Sequence, residues 1–525
     1  MVKKTILFGL AIPCFIFVSC GGKKGSPVPE VSVANDSVIE CPVEITAFPD
    51  TVFPSAEAVD FRIEVADTLT SPVIFPMEDM YADVPGAFTF RKGAFRNASF
   101  GGAVSRIPTE VIVDWTFTTP VDNRSTKFGV WGGGTGWTGQ PLYVEWPDSC
   151  VARFRQGGSL TSDFSAREII VGSLSSNILF INFDNGKASR QPIPTGNPIK
   201  GTVSLDPSLN GNLYAGQGVP AEKPFGALTI DLYSHKVSDF FPEDPKAPRG
   251  WNAYDSSPLR VGQFLFRPGE NGTLYKFTIA PGKLKLHSAL RYRVAGAAPG
   301  MEASMSVCRN YGYTADNHGN VLCVNLNTMK PVWRYDLGDD TDSSPVIVEE
   351  DGKPYVYTGC EIDRKGSGYA SFVKLDGLTG ALVWEARTPG KRREDGEKHF
   401  DGGFYSSSLP GSGDCADLIF ANAVTNEGGA NGDFVAFERA TGKMLYRTPL
   451  KYYAWSSPVG FMDPTGKFTV FTADCAGNVY LISPRTGKIT FTKRIGDNFE
   501  SSPVVVDSSL VMGSRGNKIY KMTLR

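Results

Sequence analysis

The chain has 525 residues, enough for two or three average domains or for one extended repeat fold. Its 53 basic and 55 acidic residues leave a formal net charge of -2, so there is no electrostatic case for nucleic acid, which demands clustered basic surface. With 57 Gly, 36 Pro and 12% aromatic residues, the composition suits many short strands joined by tight turns and excludes a helical bundle.

The first residues read as an export signal. Lys3-Lys4 is followed by an apolar stretch over residues 5–18, too short to span a bilayer. It ends in Phe17-Val18-Ser19-Cys20-Gly21, which resembles a bacterial lipobox. That resemblance implies cleavage before Cys20, a lipid on its sulfur, and a membrane anchor in place of a span. An ordinary secretory signal is the alternative, and both export the chain. Gly21-Gly22-Lys23-Lys24 lacks the acidic residues of a surface-export signal, so a periplasm-facing outer-membrane lipoprotein is expected, with surface exposure as the other option.

Residues 1–19 are thus assigned to the signal peptide and 20–85 to the lipid anchor and a tether rich in Pro, Ser and Val, with one strand expected around residues 59–65. Asp36-Ser37-Val38, Asp50-Thr51-Val52 and Asp67-Thr68-Leu69 resemble the short O-glycosylation sequon of one Gram-negative phylum. After loss of Cys14 and acylation of Cys20, Cys41, Cys150, Cys308, Cys323, Cys360, Cys415 and Cys475 remain, with no adjacent pair and no C-x-x-C. His235, His287, His318 and His399 are scattered, so no zinc pattern forms and no metal is expected. Contexts such as Leu322-Cys323-Val324 suit small buried hydrophobes, while an exported chain leaves disulfides open.

From about residue 86 the chain repeats itself. Asp255-Ser256-Ser257-Pro258, Asp342-Ser343-Ser344-Pro345, Trp455-Ser456-Ser457-Pro458 and Glu500-Ser501-Ser502-Pro503 each open a short apolar run. Between them recur Thr379-Gly380-Ala381-Leu382-Val383-Trp384, Thr441-Gly442-Lys443-Met444-Leu445-Tyr446 and Thr486-Gly487-Lys488-Ile489-Thr490-Phe491. A fixed period of about 50 residues means one supersecondary unit copied around an axis. Residues 518–522 end the chain as a strand without later partners, and Val111-Ile112-Val113-Asp114-Trp115-Thr116-Phe117 is a strand without an earlier one. A ring joins these two orphans and removes exposed sheet edges. The prediction is an all-β, eight-bladed propeller over residues 86–525, with seven blades as runner-up because the units near 178 and 227 are degenerate.

The Thr-Gly-Lys-x-x-Trp/Tyr phrase, the Ser-Ser-Pro strand and Phe90-Arg91-Lys92-Gly93-Ala94-Phe95-Arg96 resemble the quinoprotein-like (PQQ-like) β-propeller repeat. That family includes quinone-dependent dehydrogenases and non-catalytic bacterial lipoproteins, among them a propeller of the outer-membrane barrel-assembly machinery. The resemblance to the enzymes would imply a vicinal disulfide, a calcium site and a catalytic Asp. The chain has no adjacent Cys pair and no segment matching the calcium and base motifs, so no enzyme activity and no cofactor are expected.

Gly134-Thr135-Gly136-Trp137-Thr138-Gly139 matches G-x-G-x-x-G, but a Pro-led β pattern follows where a dinucleotide site needs a helix. Asp336, Asp339, Asp340 and Asp342 form an acidic cluster without EF-hand spacing, most simply a solvated loop. The charged stretch 391–399 also reads as a solvated loop or a partner contact. The strand opened by Ser-Ser-Pro is taken as innermost, so the residue before the phrase lies near the channel mouth. Those positions are Thr138, Lys200, Asp255, Glu302, Asp342, Ser406, Trp455 and Glu500. They either cap turns or form an acidic ring suited to a cation, a basic peptide or a sugar stacked on Trp455. The functional expectation is a lipid-anchored binding or scaffolding module for protein partners, with a glycan-binding protein and a quinone dehydrogenase as alternatives.

Overall fold

A computed structural model describes residues 47–67, 79–97, 102–395 and 398–525. The export signal, Cys20, Cys41 and the sequon at Asp36 lie outside the described residues.

Eight sheets, each with a four-stranded antiparallel meander at its heart, are arranged as the blades of a propeller. Blades 1 to 7 occupy residues 142–194, 204–242, 259–294, 306–336, 346–391, 409–449 and 459–494. Blade 8 takes three strands from residues 504–524 and its outermost strand from residues 111–118. Its closing register runs from Val111 opposite Leu524 to Thr118 opposite Lys518. The degenerate units near 178 and 227 are true blades: their second and third strands are buried along nearly their whole length, as central strands packed between neighbours must be.

The two repeated phrases do different jobs. The second Ser of each Ser-Ser-Pro phrase links neighbouring blades around the axis. The Ser257 N–H donates to Ser304 Oγ, Ser304 N–H to Ser344 Oγ, Ser407 N–H to Ser457 Oγ and Ser457 N–H to Ser502 Oγ, at 2.9–3.1 Å. The Gln140 N–H donates to Thr202 Oγ1 in the same way where the phrase has decayed. Each such bond contributes about 1 kcal/mol net.

The Thr-Gly turn forms a socket at the rim. Gly380, Gly442 and Gly487 have φ near +70°, and a Cβ on any of them would lie within 2.7 Å of Trp333, Trp384 or Tyr446 from the preceding blade. The two indole N–H groups donate to the Gly377 and Arg439 carbonyls beside these turns. Trp115 of blade 8 docks on Gly186 of blade 1 in the same manner and donates to the Phe183 carbonyl. An aromatic at the end of one unit and a glycine turn in the next are therefore two halves of one inter-blade contact.

The stretch assigned to the tether departs from that expectation. Residues 59–65 form the expected strand, but it is a fifth, outermost strand of blade 3, from Val59 opposite Val294 to Val65 opposite Ser288. Residues 48–53 lie along blade 4, where Phe48 N–H donates to Asn310 Oδ1 and Phe53 N–H to the Val332 carbonyl. The chain is thus part of the propeller rim from residue 47, and it covers an edge that would otherwise offer unpaired backbone. Cys150, Cys308, Cys323, Cys360, Cys415 and Cys475 are buried and unpaired among the described residues.

Candidate functional site

Residues 88–97 run through the centre of the ring. Phe88, Ala94 and Phe95 carbonyls accept from Leu205, Val307 and Ile347, which belong to the innermost strands of blades 2, 4 and 5. Gln140 of blade 1 accepts from the Arg91 N–H. Arg96, fully buried, donates from Nε to the Met305 carbonyl, from Nη1 to Phe90 and Thr89, and from Nη2 to Ser257. Arg91 donates to the carbonyls of Arg96, Ser408 and Pro458. Only a segment on the axis can reach so many blades. Arg91, Lys92 and Arg96 adopt φ of 52°, 70° and 54°, left-handed backbone that folds the segment tightly enough to fit. Burial pulls Arg91 down to about 9 and Arg96 to about 10, with no carboxylate bonded to either guanidinium. This segment is the floor of the channel.

Immediately above it lies an acidic mouth. Asp255, 1% exposed, pairs with the Lys200 ammonium, which also lies 3.9 Å from Glu302. A Cβ at Gly218 would fall 2.2 Å from the Asp255 carboxylate, so only glycine lets this backbone pass. Glu270, also 1% exposed, accepts from Trp251 Nε1 at 2.7 Å through one oxygen while the other has no partner. Carboxylate oxygens of Asp255, Glu270 and Glu302 lie within 4.8 Å of one another. A second trio, Asp340, Asp342 and Glu361, is equally close.

Burial is the first cause that raises the carboxyls of Glu270, Asp342 and Glu361, and their neighbours add to it. Glu302 and Asp255 hold Glu270 well above the ordinary range, and Glu302 and Asp340 do the same to Asp342. Asp342 and Asp340 push Glu361 up likewise. Burial pulls the Lys200 ammonium down, and the surrounding Asp255, Glu302 and Glu270 overcome it, leaving it well above the lysine value.

Aromatic rings form one wall. Tyr405 stacks on Trp455 with centroids 4.9 Å apart and planes at 27°, and Tyr453 packs on the same indole at 5.4 Å. Trp455 Nε1 is buried without a partner, and burial, with Glu361 next, raises the Tyr405 hydroxyl well above its ordinary value.

Seven of the eight positions singled out in the sequence precede the innermost strands by the same count. Lys200, Asp255, Glu302 and Asp342 converge through charge, and Glu500 joins them through its coupling to Lys200 while accepting from Asn498 Nδ2 at 2.7 Å. Thr138 is buried with its hydroxyl unpartnered. Ser406 is a correction. Because Ser407 makes the inter-blade bond, the equivalent position is Tyr405, and Ser406 instead accepts from Ser343 Oγ and the Asn422 N–H. Of the acidic cluster, Asp336 pairs with Arg334 and Asp339 with Arg364, while Asp340 and Asp342 turn to the mouth. The G-x-G-x-x-G segment leads directly into the innermost strand of blade 1, so a strand and not a helix stands where a dinucleotide site needs a helix N-terminus.

Glu270 and Glu361 were not anticipated. Both follow the end of a second strand, which in an antiparallel meander returns to the mouth. The signal that would have found the first is a small residue followed by an acid at that point, as in Gly269-Glu270, Ala315-Asp316 and Ala473-Asp474.

A quinone bearing three carboxylates requires a converging set of cations. This mouth instead sets Asp255, Glu270, Glu302, Asp340, Asp342, Glu361 and Glu500 against Lys200, so the residues present do not fit that group.

No family model matches the chain, and no curated protein matches it in sequence. Solved structures do match. Quinohemoprotein alcohol dehydrogenase from Comamonas testosteroni superposes with a TM-score of 0.57 at 12% identity, covering 85% of this chain and 82% of that one. The corresponding enzyme ADHIIG from Pseudomonas putida HK5 gives a TM-score of 0.57 at 11% identity, covering 84% and 80%. BamB from Moraxella catarrhalis gives 0.49 at 15% identity, covering 70% of this chain and 98% of that one. At such identities the likeness to the two dehydrogenases shows fold alone: an eight-bladed β-propeller.

Proposed function

We propose that the chain is an exported, lipid-anchored, non-catalytic binding module that scaffolds protein partners at the outer membrane and presents its acidic mouth to them. One observation carries this reading. Arg91 and Arg96 are fully bonded across the centre of the ring, yet buried carboxylate oxygens of Glu270, Asp340 and Glu361 stand without partners. Buried polar groups are normally satisfied, so a cup of unsatisfied acceptors is suited to a donor from another molecule. A basic side chain of a partner protein supplies that donor. The lipid on Cys20 would hold the module at the membrane.

The stacked Tyr405–Trp455 wall favours a second reading, a glycan laid on the rings with hydroxyls on the carboxylates. A quinone dehydrogenase stands third, disfavoured by the acidic lining.

The test is affinity purification of the full-length protein from detergent-solubilised envelopes, compared with an Asp255→Asn/Asp342→Asn variant. Outer-membrane proteins retained by the wild type and lost from the variant support the scaffold. Equal retention overturns the mouth as the binding surface, and retention of polysaccharide alone favours the glycan. Metabolic labelling with palmitate, absent from Cys20→Ser, checks the anchor. Quinone addition that yields a bound-cofactor absorbance and alcohol oxidation would overturn the non-catalytic reading.

A further inference from the structure

The two carboxylate trios of the mouth differ in what neutralises them. In the first, the Lys200 ammonium sits against Asp255 and near Glu302, so the group already holds its cation. In the second, Asp340, Asp342 and Glu361 face no paired lysine or arginine among the described residues; the charges that act most strongly on them are other carboxylates. Glu361 is 3% exposed and its Oε1 has no hydrogen-bond partner, although it lies within 4.8 Å of the Asp340 and Asp342 oxygens. Asp340 Oδ1 is likewise buried and unpartnered.

A buried, unsatisfied glutamate pointed at two aspartates is a costly arrangement unless something positive sits between them. All three ligands are hard oxygen donors, with no thiol or imidazole in the group. Asp340 and Asp342 lie in the loop entering the innermost strand of blade 5, and Glu361 lies just past that blade's second strand, in a two-residue strand that pairs with Gly403 of the blade 6 sheet. The donors therefore meet where two neighbouring blades join.

We propose that Asp340, Asp342 and Glu361 form a binding site for a calcium-class divalent cation in the channel mouth. Hard oxygen donors of this kind, completed by water, suit calcium. The ion balances the trio as Lys200 balances its neighbour, and it leaves the unpartnered Glu270 oxygen for a donor from a partner. The site stands independently of the partner reading, because it is measured on the isolated protein.

Terbium serves as the probe, since it takes calcium's place and emits when a nearby aromatic ring is excited. Glu361 acts directly on Tyr405, which stacks on Trp455, so excitation of these rings should give sensitised terbium emission in the purified full-length protein, displaced by added calcium. Glu361→Gln should weaken that affinity at least tenfold, and Asp340→Asn, on a less buried residue, should weaken it as well. Asp255→Asn, in the trio held by Lys200, should leave it within about twofold. Absence of sensitised emission in the wild type overturns the site. So does emission that survives both Glu361→Gln and Asp340→Asn, or that Asp255→Asn abolishes as fully. Calcium should also raise the wild-type thermal midpoint, and no rise at millimolar calcium counts against the proposal even where a variant folds poorly.

Discussion

The carbonyls that hold the floor, at Ser257, Met305, Ser408 and Pro458, lie two or three residues beyond mouth positions along the chain, yet floor and mouth bury charge in opposite ways. In the floor, every donating nitrogen of Arg91 and Arg96 reaches a carbonyl or hydroxyl, so two buried guanidiniums become cross-braces between blades. In the mouth, Glu270, Asp340 and Glu361 each keep a carboxylate oxygen with no partner. A satisfied buried charge is part of the architecture, while an unsatisfied one is available to a ligand. Burial alone does not tell the two apart; the count of partners does.

The sharpest way to break this contrast is Arg96→Ala. Loss of its donated bonds strands several buried acceptors, so urea denaturation should show a loss on the order of 3–5 kcal/mol. A loss below about 1 kcal/mol would mean that the floor is not a brace. Next in size is Ser457→Ala, which leaves the Ser407 N–H unpaired between blades 6 and 7 and should cost about 1–2 kcal/mol by the same measurement.

The mouth should answer with the opposite sign. Asp342→Asn removes one of several repelling carboxylates and should leave stability at pH 8 unchanged or raise it by about 1 kcal/mol in calcium-free buffer. A clear fall would place Asp342 with the floor. The smallest effect concerns pH. Burial, then Glu302 and Asp255, raise the Glu270 carboxyl above its ordinary value of 4.5. The folded state therefore holds that proton more tightly than the unfolded chain. Its contribution is favourable in acid and is lost as pH rises from near 4.5 towards the raised value. Thermal midpoints of Glu270→Gln measured from pH 5 to pH 8 should fall less steeply than those of the wild type.

Much of the fold was written in the repeats, because Ser-Ser-Pro and Thr-Gly-x-x-x-Trp are contact-making phrases and not only strand formers. Their spacing also located most of the inner positions. Ser406 slipped by one because blade 6 reads Ser406-Ser407-Ser408 with no proline to fix the phase, and only the bond from Ser407 to Ser457 settles it. Glu270 and Glu361 stayed hidden because their place depends on where a second strand ends, which a small residue before an acid marks for Glu270 and nothing so short marks for Glu361. Residues 47–67 were hidden by composition. Pro-rich sequence reads as tether, yet Phe48, Phe53 and Val59 find apolar partners on blades 3 and 4 that only the folded ring provides.

The outermost strand of blade 8 has a consequence in time. Residues 111–118 are made long before residues 518–524, and the Thr523 hydroxyl bonds Asp114 across 409 positions of sequence. Long-range pairing of this kind is slow, since most of the chain must be ordered before the two ends can meet. Until the final strand arrives, blade 8 has no outer wall, and the Trp115 side chain has no fixed strand from which to dock on blade 1. Residues 518–524 therefore act as a completeness check: a chain without them leaves an open ring with a raw strand edge, which is the form that proteases and aggregation remove first.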